Sequence, residues 1–288
     1  MDHNAFLVPS DKKIKLSDYD TKFTGSFSAK KEAETKLTAD IAQLAEYHDV
    51  LYADASYGVL MIVQAMDAAG KDSVIKHVMS GVNPQGCKVV SFKEPSTEEL
   101  RHDYLWRCLK EIPPRGFLGI FNRSYYEEVL TVRIHPQFLE HQRLPVPACG
   151  PKIWEHRFED INNFERYLSR NGYAIIKFFL HVSKEEQKKR FLERLEEPEK
   201  NWKFSANDVR ERGFWNDYQK AYEEMLARTS TSWAPWYVVP ADHKWFTRIA
   251  VADILLKAMK NLHCSYPKIS GETKRDLTKA RKTLEQEK

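Results

Sequence analysis

Apolar positions along the chain fall into two alternating rhythms. Short runs dense in β-branched and aromatic residues, at 59–63, 87–92, 116–121, 174–181 and 235–242, read as buried strands. Between them the spacing lengthens towards 3.6 residues. Leu37, Ile41, Leu44, Ala45, Tyr47 and Leu51 place one amphipathic helix over 28–53, and Tyr218, Ala221, Tyr222 and Met225 place another over 215–228. Further helices are expected at 73–79, 97–110, 154–171, 207–212 and 245–262, with one after Ser183 and one following 125–128. The helix at 97–110 opens on Ser96 and Glu99, a Ser-x-x-Glu cap. Near-continuous apolar strands alternating with helices specify an α/β fold, a five-stranded parallel sheet between two helical layers.

The first apolar run, Val59-Leu60-Met61-Ile62-Val63, empties into Ala65-Met66-Asp67-Ala68-Ala69-Gly70-Lys71-Asp72-Ser73. Strand, tight turn and helix in that order make a candidate phosphate cradle. Small residues at Ala68, Ala69 and Gly70 let successive N–H groups point at one anion, and the helix that follows adds its positive end. Lys71 then reaches the outer phosphates. Against the pattern G-x-x-x-x-G-K-[ST], Ala65 replaces the first glycine, Asp72 stands where the metal-binding hydroxyl belongs, and Ser73 comes one residue late. A carboxylate inside a phosphate loop is repulsive unless it holds a cation or a proton, so Asp67 reads as the loop's own magnesium ligand.

In open parallel sheets ligands lie outside the carboxyl ends of the strands, so Asn122 and Arg123, which end the third apolar run, belong beside Asp67 and Lys71. Basic residues Lys188, Lys189, Arg190 and Arg194 precede a proline-broken segment, and 190–212 reads as a lid. Lys71, Lys76, Arg123, Arg194 and Lys203 outline a groove for a polyanion.

Composition is that of a globular protein, with 42% hydrophobic and 30% charged residues. A net charge of +4 does not by itself call for nucleic acid. No apolar run approaches the roughly 20 residues that span a bilayer, and the first residues resemble no signal peptide, so no membrane is expected and a cytoplasmic location is. Cys87, Cys108, Cys149 and Cys264 are scattered and read as reduced and buried. The 288 residues are expected to form one P-loop kinase domain, with an arm at 1–27 packed over the body and a peripheral charged helix at 268–288.

Several stretches are more specific than the loop. Gln64-Ala65-Met66-Asp67-Ala68-Ala69-Gly70-Lys71-Asp72, Asn83-Pro84-Gln85-Gly86, His102-Asp103-Tyr104-Leu105-Trp106-Arg107 and Gly119-Ile120-Phe121-Asn122-Arg123-Ser124-Tyr125-Tyr126-Glu127 resemble the polyphosphate kinase 2 family. Asn201-Trp202-Lys203-Phe204-Ser205 and Ala234-Pro235-Trp236-Tyr237-Val238-Val239-Pro240-Ala241-Asp242 do so as well. The resemblance implies a thymidylate-kinase-like fold with a mobile lid and reversible phosphoryl transfer, with magnesium as cofactor, between inorganic polyphosphate and nucleotides. ADP and AMP are the expected acceptors, GDP a further one, and ATP the product or reverse donor. A homo-oligomer, dimer or tetramer, is expected.

By the same resemblance, Asp67, Lys71, Asn122 and Arg123 are the expected catalytic set. Ala68, Ala69, Gly70, Asp72, Ser73, Lys76, Arg190, Arg194 and Lys203 join Lys71 and Arg123 on the phosphates. Arg107, Arg133 and Glu127 are expected at the nucleotide, and Asp67, Glu127 and Glu128 at the metal. Asn122 departs from the aspartate that many relatives carry there. The competing reading is a P-loop kinase that takes phosphate from ATP alone, which would need only a short triphosphate site.

Overall fold

The computed structural model describes every residue except Asp11, Ser28, Ala29, Lys203 and Lys288. Five strands, β1 (Gly58–Ala65), β2 (Cys87–Ser91), β3 (Leu118–Asn122), β4 (Tyr173–His181) and β5 (Trp236–Pro240), form one sheet in the order β2-β3-β1-β4-β5. All four pairings are parallel. Every residue of β1 is buried, as expected of a central strand covered on both faces. The sheet changes direction of growth at β1, and β3 and β4 flank it, so the crevice at the carboxyl end of β1 is the place where such a sheet binds ligands.

Twelve α-helices accompany the sheet among the described residues. They are α1 (Lys30–Asp54), α2 (Lys71–Val78), α3 (Trp106–Leu109), α4 (Thr131–Ile134), α5 (Pro136–His141), α6 (Ile153–Arg170), α7 (Lys184–Glu196), α8 (Pro198–Asn201), α9 (Ala206–Gly213), α10 (Trp215–Thr229), α11 (Lys244–Lys260) and α12 (Gly271–Gln286). α1 and α2 pack on α11, while α6 and α10 pack on each other and cover the opposite face. The fold is the three-layer, P-loop kinase-like α/β architecture that the apolar rhythm implies.

Two expectations change on folding. The helix expected over 97–110 is interrupted. The Ser96 and Glu99 cap forms, with Glu99 N–H donating to Ser96 Oγ and Ser96 N–H to Glu99 Oε2, but only a short 3-10 turn follows. The Asp103 carboxylate then takes the Leu105 N–H and restarts the chain as α3. Near the start of the chain, Val8 N–H donates to Trp236 O and Val238 N–H to Phe6 O along the free edge of β5. The cysteines are free, yet only Cys108 is buried, Cys149 being exposed.

A buried charged network lies between α6, β4 and the end of α10. Lys177 of β4 donates to Glu165 Oε2 at 2.5 Å, to Tyr126 Oη at 2.8 Å and to Thr229 O at 2.7 Å. Tyr125 and Tyr126 both donate to Glu165 Oε1, at 2.8 and 2.7 Å. Burial lowers the Lys177 ammonium to a pKa of about 8 against the pull of Glu165. The network ties α6, β4 and the end of α10 to the segment that leaves β3.

Candidate active site

Between β1 and α2 the backbone enters the left-handed region at Ala68, φ 60°, and at Gly70, φ 109°. The five consecutive carbonyls from Ala65 to Ala69 all accept from side chains. Lys71 Nζ donates to Ala65 O at 2.9 Å and to Met66 O at 3.5 Å. Gln187 Nε2 donates to Asp67 O at 2.9 Å, and Arg190 Nη1 to Ala68 O and Ala69 O at 3.1 and 2.9 Å. A trans peptide aims its N–H opposite to its carbonyl, so each carbonyl held in this way fixes the direction of the N–H that follows it. The Ala69 N–H closes a turn on Met66 O.

The charged groups expected at the strand ends do converge. Arg123, one residue beyond β3 and itself at φ 63°, donates through Nη2 to Asp67 Oδ1 at 2.7 Å. Asn122 Nδ2 donates to Asp72 Oδ1 at 2.7 Å. Glu127 accepts from Gln64 Nε2 at 2.9 Å and from Thr131 Oγ1 at 2.7 Å. The charges of Glu127 and, less strongly, Asp67 hold the Arg123 guanidinium protonated against its burial. Burial and the neighbouring Arg123 charge push Lys71 down to about 8, with Asp67, Glu127 and Asp72 pulling the other way.

Beside the loop opens a cavity of about 640 Å³ whose walls include Asp67, Arg107, Arg123, Glu127, Asp208 and Arg210. Its roof is α9. Arg194 Nη1 meets Asp208 Oδ2 at 3.2 Å, and Glu211 Oε2 is bonded to His135 Nε2 at 2.8 Å and to Tyr218 Oη at 2.7 Å. Burial, with Asp67 nearby, raises the Asp208 carboxyl. Arg107 lies against the Phe92 ring, 5.3 Å from its centroid, and donates to Lys93 O.

Some expected residues are placed otherwise. Arg190 is only 4% exposed, and it donates to Glu186, Ala68 O, Ala69 O, Ala241 O and Asp242 O. A guanidinium so engaged braces the loop from behind and has no donor left for phosphate. Ser73 Oγ accepts from Arg248 of α11, away from the cradle. Glu128 accepts from Arg157 at 2.9 Å and from Gln142 at 2.7 Å. Arg133 pairs with Glu224 at 2.8 Å and lines a separate recess with Phe214 and Lys220. Lys76 is exposed on α2 and does not line the cavity. Lys203 lies outside the described residues.

Gln187, Gln64, Asp208 and Arg212 are not among the expected site residues, although Gln64 opens the loop motif and Asp208 and Arg212 fall in the expected lid. For Gln187 the signal is its place three residues before Arg190, on the same face of a helix.

The family model described as Polyphosphate kinase 2 matches residues 27–266. The chain is 47% identical over 280 residues to the ADP-polyphosphate phosphotransferase of Rhodopseudomonas palustris, covering 97% of each. It is 42% identical over 263 residues to the AMP/ADP-polyphosphate phosphotransferase of Meiothermus ruber, covering 91% of this chain and 94% of that one. The crystal structure of Polyphosphate Kinase 2 from Arthrobacter aurescens TC1 superposes with a TM-score of 0.84 at 37% identity, covering 94% of this chain and 97% of the other. With the family model matched over residues 27–266 and such relatives similar over nearly its whole length, this chain belongs to the polyphosphate kinase 2 family of phosphotransferases.

Proposed function

We propose that the protein transfers a phosphoryl group reversibly between inorganic polyphosphate and ADP or AMP, with magnesium, and that GDP is a further acceptor. The observation that carries this reading is the Asp67–Arg123 pair where β1 and β3 end, on the wall of a cavity of about 640 Å³, with the Lys71 ammonium near enough to feel both charges. The names of the two similar phosphotransferases, one for ADP and one for AMP and ADP, support the choice of donor and acceptors.

Phosphoryl transfer asks little covalent chemistry of the protein. It needs donor and acceptor in line, cations on the transferring oxygens and exclusion of water. The loop amides would hold the phosphates, Lys71 would act as a point charge on them, and Arg123 would bind them through donors left over from Asp67. Arg107 and the Phe92 edge of the cavity would receive the nucleotide, and Arg194 with α9 would cover the donor chain.

The donor set suits magnesium. Asp67 and Asp72 would offer hard carboxylate oxygens, and among the described residues no group of three or more His, Cys, Asp or Glu forms a closed cage. An ion that keeps several waters and takes the rest of its shell from phosphates needs no more than one or two carboxylates. When bound, it would offset negative charge on the phosphate oxygens.

The test mixes purified protein, long-chain polyphosphate, magnesium and ADP, then AMP, then GDP, and measures the nucleotide formed. ATP from ADP is expected. No ATP above a heat-killed control overturns the reading, and ATP-driven phosphorylation of AMP without any use of polyphosphate would replace it.

A further inference from the structure

α7 grips the phosphate loop from behind with two side chains, and one of them also holds the lid. Gln187 is 1% exposed. Its Nε2 donates to Asp67 O at 2.9 Å, and its Oε1 accepts from Arg212 Nη1 at 2.8 Å. A backbone carbonyl can only accept and a guanidinium can only donate, so the two partners fix the orientation of the amide without ambiguity. Arg212 lies at the end of α9, the roof of the cavity, and its Nη1 also donates to Lys184 O at the start of α7.

Asp67 is thus held at both ends. Its carboxylate meets Arg123 and its carbonyl meets Gln187. Arg190, by contrast, bonds only to groups of the body and would be unaffected by movement of α9. Were α9 to lift, Gln187 Oε1 would lose its charged donor, and an amide with one end orphaned would be free to turn and release Asp67 O.

We propose that Gln187 is a positioning residue that couples the lid to the phosphate loop, so that the loop peptide at Asp67 is held in place only when α9 is closed. The proposal rests on the phosphotransferase reading for its consequence, which is that the cradle is complete only when the donor chain is covered. The coupling itself is a property of the substrate-free protein.

The test compares wild type with Gln187→Leu, Arg212→Leu, Arg212→Lys and the Gln187→Leu/Arg212→Leu double variant, all as the full chain. Deuterium uptake of peptides covering 65–71 is measured without substrates. Arg212→Leu is expected to raise uptake there although Arg212 does not touch the loop, the double variant is expected to match Gln187→Leu, and Arg212→Lys is expected to restore most of the protection. With polyphosphate and ADP, each leucine variant is expected to lose about tenfold in kcat with KM for ADP changed by less than about twofold, the double losing no more than either single. Unchanged uptake at 65–71 in Arg212→Leu overturns the coupling, as does a double variant whose losses multiply to about a hundredfold. Failure of the polyphosphate reading would show differently, as a wild type inactive with polyphosphate whose uptake pattern still follows Arg212.

Discussion

Asn122 donates to the carboxylate of Asp72 at 2.7 Å, joining the end of β3 to the first turn of α2. In the common P-loop arrangement a Ser or Thr stands at the position of Asp72, and an aspartate on the strand completes the metal site. Here donor and acceptor have changed places. The pair still carries one negative charge and one hydrogen bond, but the charge sits on the helix rather than on the strand.

The Asn122→Asp variant would set two carboxylates within hydrogen-bonding distance of each other. A loss of about tenfold in turnover and a higher magnesium requirement are expected. Adding Asp72→Thr restores the ordinary polarity and should recover most of both. Magnesium titrations of the singles and the double check this, and a fully active Asn122→Asp enzyme with unchanged magnesium dependence would contradict it.

Asp67→Asn keeps the size of the side chain and an acceptor for Arg123, yet removes the charge. We expect turnover to fall at least about a hundredfold, the scale of losing a preorganised electrostatic contact. Lys71→Ala should lose a comparable amount in both directions. Initial rates of ATP formation and of ATP consumption measure the two, and a loss within about tenfold, roughly 1.4 kcal/mol of barrier, would remove the cradle role.

Burial and the neighbouring Arg123 charge push Lys71 down to about 8 from its ordinary 10.5. Its charged form is the one that attracts phosphate, so polyphosphate affinity in the absence of nucleotide should be greatest below about pH 8 and fall as pH rises through it. Stability has the opposite sign. Between about 8 and 10.5 the native state binds fewer protons at this residue than the unfolded chain, so Lys71 adds stability as pH rises across that window. Lys71→Met should flatten both dependences, read by calorimetric titration and by urea midpoints at pH 7 and 9.5.

Lys177→Met would leave Glu165 buried without its counter-charge. A loss of ~3–5 kcal/mol in unfolding free energy is expected. Glu165→Gln added to it should return part of that, because an amide still accepts from Tyr125 and Tyr126. Chemical denaturation of the three proteins decides the matter.

Arg194→Ala removes the lid cation now held by Asp208. Polyphosphate affinity should weaken more than ADP affinity, and wild-type polyphosphate binding should fall with added salt, by analogy with other polyanion contacts. Binding isotherms at two ionic strengths test both.

The strands, the loop between β1 and α2, and the placing of Asn122 and Arg123 at its side were all legible in one dimension, because each follows from local spacing. A run of Val, Ile and Leu flanked by small residues cannot hide its period, and the rule for parallel sheets then carries the ligand to the strand ends. The break at Asp103 was not legible. Its cause is a side chain competing for a backbone N–H, which periodicity does not register.

What the sequence alone determined, then, is the α/β order, the family and the charged residues available to the site. Tertiary structure decided what each charge does. Arg190, Arg194 and Lys76 are equivalent as letters, but one is enclosed by five acceptors, one is paired with Asp208 and one is exposed on α2. Glu127 and Glu128 are neighbours in the chain and face different partners, Gln64 and Thr131 for the first, Arg157 and Gln142 for the second. Local pattern is set by one-dimensional spacing, whereas the availability of a donor or a carboxylate depends on which distant groups the packing brings within 3 Å. Those separations, 120 residues between Asp67 and Gln187, are beyond the reach of any period.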